Sequence, residues 1–177
     1  MKLTFKAQTS QHTIRIGEAI GSILNTGDVV ALSGELGAGK TTLTKGIAKA
    51  LDVQEEITSP TFCIVSEYEG RFPLRHIDLY RLSGVEDFEG IGGEELFWQE
   101  GVCVLEWSER IKAALPASAL LVHLAIDDAG EDSDKRMIDV DNISEQAAQD
   151  LAKAAGELLV PPSTSGKDTA VSAGGSS

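Results

Sequence analysis

Apolar residues fall along this chain in two rhythms, one suited to helices and one to strands. Ile16, Ala19, Ile20, Ile23 and Leu24 recur at three- and four-residue steps and predict a helix with Thr9 or Ser10 as its cap. Leu43, Ile47 and Leu51, with Ala48 and Ala50 beside them, predict a second helix. Ala147, Ala148, Leu151, Ala155, Leu158 and Leu159 predict a third behind a Ser144 cap. Two runs behave differently. Val29-Val30-Ala31-Leu32 and Val102-Cys103-Val104-Leu105 are apolar at four consecutive positions, as strands buried on both faces of a parallel sheet are. Leu3-Thr4-Phe5-Lys6-Ala7 reads as a short edge strand, and residues 63–68 and 72–78, joined by Glu69-Gly70-Arg71, as an antiparallel hairpin. Residues 119–126 and 137–140 read as strands flanking an acidic loop. Residues 85–100 are acidic and helical in parts, with Phe88, Ile91, Leu96, Phe97 and Trp98 as apolar points, and residues 108–115 form a short helix stopped by Pro116. This order predicts an α/β domain over residues 1–160: a mainly parallel central sheet, antiparallel strands at its edge, and helices on both faces. From residue 161 onward the composition collapses to Pro, Ser, Thr, Gly and Ala, which predicts a disordered tail over residues 161–177.

Between the first buried strand and the second helix lies Gly34-Glu35-Leu36-Gly37-Ala38-Gly39-Lys40-Thr41-Thr42, which fits the phosphate-binding loop of nucleoside triphosphatases. Its glycines let successive backbone N–H groups curl around phosphate oxygens. Lys40 puts an ammonium on the terminal phosphates, and the Thr41 hydroxyl serves a magnesium ion. A glycine-rich surface turn would match the pattern too, but not the strand before it and the helix after it. That helix's N-terminus adds its dipole at the phosphates. The sheet is therefore expected to resemble that of phosphate-loop NTPases, binding a nucleoside triphosphate with magnesium.

Charge narrows the range of partners. The 177 residues carry 28 acids against 15 bases, a formal net charge of −13. Nucleic-acid-binding domains draw most of their affinity from a basic face, so any role near RNA is expected to run through a protein partner. No apolar run is long enough to span a bilayer, and the first residues do not form a signal peptide, so the expected location is the cytoplasm, away from membranes. Cys63 and Cys103 sit in apolar runs and read as reduced core cysteines.

Glu106 ends the second buried strand, where a triphosphatase holds its magnesium; Asp78, at the end of the hairpin, competes for the role. Thr58-Ser59-Pro60-Thr61-Phe62 places hydroxyls on a proline-restricted loop where a γ-phosphate-sensing switch would lie. His76 shares a face with Asp78 by alternation, but it has no visible partner and reads as structural. A GTPase needs an Asn-Lys-x-Asp segment, and Asn25 precedes Thr26 while Asn142 precedes Ile143. A small-molecule kinase needs a lid, yet Arg71, Arg75 and Arg81 cluster around one hairpin with no insertion of that length. A nucleotide-dependent binding module without turnover remains a third reading. No glutamine is placed to orient an attacking water, so hydrolysis by the isolated chain is expected to be slow.

Four stretches in order resemble the bacterial TsaE (YjeE) family, small ATPases of tRNA threonylcarbamoyladenosine synthesis. They are the phosphate loop, Thr58-Ser59-Pro60-Thr61-Phe62, His76-Ile77-Asp78-Leu79-Tyr80-Arg81-Leu82, and Val104-Leu105-Glu106-Trp107, and the resemblance covers residues 13–140. It implies ATP and Mg2+ as ligands and two partner proteins, TsaB and TsaD, which move a threonylcarbamoyl group onto an adenosine beside the anticodon of tRNAs reading ANN codons. The group comes from a threonylcarbamoyl-adenylate made by a separate enzyme; the ATPase cycle supports turnover of the complex, and tRNA is met only indirectly. Residue by residue, the resemblance implies that Glu35, Leu36, Gly37, Ala38, Gly39, Lys40, Thr41 and Thr42 bind phosphates, and that Thr41 and Glu106 hold magnesium with Asp78 near it. Lys40, Thr61, Asp78 and Glu106 are the implied catalytic set, with Thr61 in the switch-like loop and Trp107 beside the site. An adenine-side contact near Ser10 and a phosphate-side arginine at Arg136 complete it. Glu35 stands where Asp is usual and Ser108 where Pro is common; neither change removes a ligand.

Overall fold

The computed structural model describes residues 1–59, 64–127 and 133–161. Thr61 and the tail from residue 162 lie outside the described residues. In chain order the strands are β1 (Leu3–Ala7), β2 (Val29–Ser33), β3 (Val65–Tyr68), β4 (Leu74–Asp78), β5 (Val102–Glu106), β6 (Leu120–Ile126) and β7 (Arg136–Asp141). The α-helices are α1 (Ser10–Ile23), α2 (Lys40–Ala50), α3 (Val85–Gly90) and α4 (Glu145–Ala155). The strands form one sheet in the order β1-β7-β6-β2-β5-β4-β3. β6, β2, β5 and β4 run parallel at its centre; β3 and the β7–β1 pair are antiparallel additions. The expected antiparallel strands thus lie at both edges.

The two apolar runs occupy the centre because both faces of the sheet are covered there. Val30 and Leu32 of β2, with Val102 and Val104 of β5, pack into one core with Ile16 and Ile20 of α1, Leu43 and Ile47 of α2, and Leu151 of α4. The alternate residues, Val29, Cys103 and Leu105, pack into a second core with Phe88, Phe97 and Ile111. The period-two alternation of side chains divides each run between two cores, so no position along it is left for a polar residue.

Helices α1 and α2 approach through their backbones. A Cβ on Gly17 would lie 2.2 Å from the Leu43 carbonyl oxygen, and one on Gly46 would lie 2.1 Å from that of Ile14. Glycines at these two positions allow the helices to cross this closely, which fixes α2 and hence its first residues, Lys40 and Thr41.

Two predicted helices are reshaped. Residues 85–100 split into α3 and a 3-10 turn over Gly93–Trp98, with Gly92 at φ +72° as the break. The predicted helix over residues 108–115 is a 3-10 segment, Ser108–Ala114, interrupted at Ile111. At the far edge, Leu159 bridges Phe5 and the Val160 N–H donates to the Thr4 carbonyl at 2.8 Å, covering part of β1. Among the described residues no helix is long and apolar enough to cross a membrane.

Candidate functional site: a phosphate loop at the carboxyl ends of the central strands

The parallel register brings the strand ends level: Leu32 of β2 and Asp78 of β4 both pair with Glu106 of β5. In open α/β sheets ligands bind beyond the carboxyl ends of such strands, and here the glycine loop leaves β2 at that level. Gly34 has φ +144°, and a Cβ there would lie 2.4 Å from the Leu124 carbonyl oxygen, so the turn out of β2 accepts no side chain. Gly39, left-handed at φ +99°, precedes α2, and no side chain caps the helix there. The start of α2 thus has no side-chain cap, the arrangement found where helix N-termini hold anions.

Lys40 is buried, and its Nζ donates to the carbonyls of Gly34 at 2.6 Å and Glu35 at 2.9 Å, tying the loop to itself. The ammonium lies 3.9 Å from the centre of the Trp107 ring. Burial lowers the Lys40 pKa, while the carboxylates of Glu106, Glu109, Asp78 and Glu35 oppose that shift. The Thr41 hydroxyl donates to Glu106 Oε1 at 2.8 Å. Asp78 accepts from the Ser59 hydroxyl at 3.2 Å and from the Tyr80 N–H at 2.9 Å. Trp107 stands at φ +61°, unusual for a bulky residue, and its ring meets that of Tyr80 at 5.1 Å. These groups enclose a cleft of about 360 Å³, lined also by Leu36, Gly37, Gly39 and Thr42.

Most of the expected site residues are therefore brought together: the loop from Glu35 to Thr42, Asp78, Glu106 and Trp107. Ser10 is the exposed first residue of α1, whose actual cap is Thr9. One turn on, the Thr13 methyl is 3.8 Å from where a Gly39 Cβ would stand, so this helix end lies beside the loop. Arg136 reaches the loop through carbonyls: Nε donates to Ala38 at 2.9 Å and Nη2 to Gly37 at 3.0 Å, while Nη1 donates to Ser133 and Lys135. The sequence reading missed His76. It has a partner after all, with Nε2 lying 2.8 Å from Glu106 Oε1. The available signal was its position two residues before Asp78 on the same strand face.

Among the described residues no cluster of three or more His, Cys, Asp or Glu side chains forms a metal cage. A hydroxyl and one or two carboxylates beside a phosphate loop suit magnesium, which is usually held by few protein oxygens together with substrate phosphates. Thr41 and Glu106, with Asp78 next to Glu106 in register, would hold it.

The family model described as "Threonylcarbamoyl adenosine biosynthesis protein TsaE" matches residues 7–138, about three quarters of the chain. The chain belongs to the TsaE family. Among its relatives in that family, proteins named tRNA threonylcarbamoyladenosine biosynthesis protein TsaE include one from Treponema pallidum, 46% identical over 120 residues, covering 68% of this chain and 89% of that protein. The TsaE protein of Bacillus subtilis is 39% identical over 132 residues, 74% of this chain and 81% of its own. That of Streptomyces coelicolor is 38% identical over 148 residues, 80% and 98% respectively. The crystal structure of YdiB from Bacillus subtilis superposes with a TM-score of 0.67 at 32% identity, covering 88% of this chain and 97% of YdiB.

Proposed function

We propose that this TsaE-family chain is a magnesium-dependent ATPase that supports threonylcarbamoyl transfer to tRNA by a TsaB–TsaD complex in the cytoplasm. The observation carrying the reading is the Thr41–Glu106 hydrogen bond at the mouth of a glycine loop, which joins a metal-binding hydroxyl to a strand-end carboxylate. Family membership supports the tRNA pathway, and the net charge of −13 supports an approach to tRNA through protein partners.

Hydrolysis is an in-line attack of water on the γ-phosphorus: the water oxygen bonds to phosphorus, the bond to the β–γ bridging oxygen breaks, and ADP and phosphate leave. Bound beside Thr41 and Glu106, magnesium would supply positive charge to offset that on the phosphates. Lys40 exchanges the Gly34 and Glu35 carbonyls for phosphate oxygens and counters the charge on the leaving side. The loop amides and the start of α2 orient the phosphates, and Glu106 and Thr41 orient the ion. Asp78, Ser59 and Tyr80 also line the cleft, with no glutamine among the described lining residues. The isolated chain accordingly turns over slowly, and partners complete the site.

The test is ATP hydrolysis by the purified chain, alone and with TsaB and TsaD. The expected result is slow magnesium-dependent turnover that rises with both partners and is not reproduced with GTP. Failure to bind ATP would overturn the proposal.

A further inference from the structure

His76 occupies a position where physical chemistry favours an aliphatic residue. It is 0% exposed in β4, paired with Ser66 on one side and Val104 on the other. Leu74 and Val104, on the same sheet face, belong to the apolar core under α1 and α2. The imidazole nevertheless leaves one ring nitrogen, Nδ1, buried without a hydrogen bond among the described residues. An orphaned buried polar atom is destabilising, because it has given up water without gaining a partner. What the ring gains lies on its other nitrogen, 2.8 Å from Glu106 Oε1. An ionised carboxylate only accepts, so the proton of that bond belongs to Nε2.

Glu106 is itself only 3% exposed, and its Oε1 receives two donors, the Thr41 hydroxyl from α2 and His76 Nε2 from β4. Among the described residues Oε2 accepts no hydrogen bond, and Glu106 lines the cleft. One oxygen is thus anchored and the other left to the ligand. The Thr41 anchor is temporary if its hydroxyl turns to a cation. The His76 anchor comes from the neighbouring strand and does not depend on a group that the cation would also claim.

We propose that His76 is the positioning residue that aims the Glu106 carboxylate at the divalent cation of a bound nucleotide. The proposal rests on the magnesium–nucleotide reading above. A glutamate's terminal torsion is broad, so a strand-end carboxylate with no anchor samples several orientations. A donor on Oε1 selects the one that presents Oε2 to the cleft. The same bond partners a buried charge, which is costly to leave alone.

The test uses the full chain with His76→Leu, which keeps bulk and removes the donor, and His76→Gln, whose side-chain amide reaches the Nε2 position. Mn2+ binding in the presence of a non-hydrolysable ATP analogue is measured by electron paramagnetic resonance, and nucleotide affinity is measured separately in EDTA. Removing a hydrogen bond to a metal ligand typically costs about 10–100-fold in metal affinity. His76→Leu is expected to weaken Mn2+ binding by about that factor and leave EDTA nucleotide affinity within about two-fold, with His76→Gln restoring most of the loss. In a Glu106→Gln background, His76→Leu should add nothing, since its effect passes through that carboxylate. Unchanged Mn2+ affinity in folded His76→Leu overturns the proposal. So does an equal loss in both variants accompanied by lower melting temperatures, which would make the ring a packing element. A wild-type chain that binds Mn2+ and nucleotide without hydrolysis sinks the ATPase reading alone; one that binds no Mn2+ removes both.

Discussion

Lys40 is bonded to the carbonyls of its own loop, so binding a phosphate exchanges neutral acceptors for charged ones. Charge-assisted hydrogen bonds contribute about 1.5–3 kcal/mol each, so Lys40→Ala should lose roughly ten- to a hundred-fold in ATP affinity, read by titration calorimetry, with turnover abolished. Its burial makes a second prediction. Because the folded-state pKa is lowered, at pH values between it and the ordinary 10.5 the unfolded chain holds a proton that the folded chain has released. Stability then rises with pH through that window, up to 10.5. Urea unfolding should show this rise in the wild type and a smaller one in Lys40→Met; identical profiles would contradict the burial argument. At this scale local features were legible in the sequence. The loop's residues are contiguous, and Glu106 could be found because an acid ends an apolar run. His76 could not be assigned, because its partner is 30 residues away and only the parallel β4–β5 pairing brings them together. The positive φ of Trp107 likewise leaves no trace in composition.

At the scale of elements, the crossing of α1 and α2 is the feature on which the placement of the loop helix depends. Helix backbones cannot retreat as side chains can, so an added methyl at Gly46 must push the whole pair apart. Overpacking of this kind costs about 1–3 kcal/mol. For a domain of this size each kcal/mol lowers the melting temperature by about 2–4 °C. Gly46→Ala should therefore melt several degrees lower. Gly90→Ala, in α3 with nothing within 4 Å of the added Cβ, should melt unchanged or higher. Equal effects at the two positions would show that the close approach is not what matters. The long periodic helices and the four-residue apolar runs were readable because burial on one or two faces leaves a period. The break at Gly92 and the kink at Ile111 were not: neither leaves a period in the sequence, and Ile111 shows its place only once it is seen buried in the second core. The glycines of α1 and α2 look like helix-weakening residues until the two helices are seen to touch.

At the scale of the whole molecule, the described chain closes on itself when Val160 pairs with Thr4, so a truncation that respects the fold ends after residue 161. Residues 162–177 offer only Val171 as a large apolar side chain, a composition that cannot bury enough surface to offset the entropy of ordering. A chain ending at residue 161 should keep the melting temperature and ATP turnover of the full chain, and a drop of several degrees would show that the tail docks. This truncation also gives the pathway a clean control. Cells whose only copy is the truncated chain should contain fully modified tRNA. Cells whose only copy is Glu106→Gln should accumulate tRNA lacking the threonylcarbamoyl group, because that change keeps the side chain's size and removes the charge a hard cation prefers. In the purified proteins, Trp107 fluorescence on adding ATP and then magnesium should lose its magnesium response in Glu106→Gln more than in Asp78→Asn, since Glu106 bonds Thr41 and Asp78 does not. The reverse order would move the ion to Asp78. Fully modified tRNA in Glu106→Gln cells, despite lost turnover in the tube, would separate the ATPase cycle from the modification and leave the chain as a nucleotide-gated binding partner.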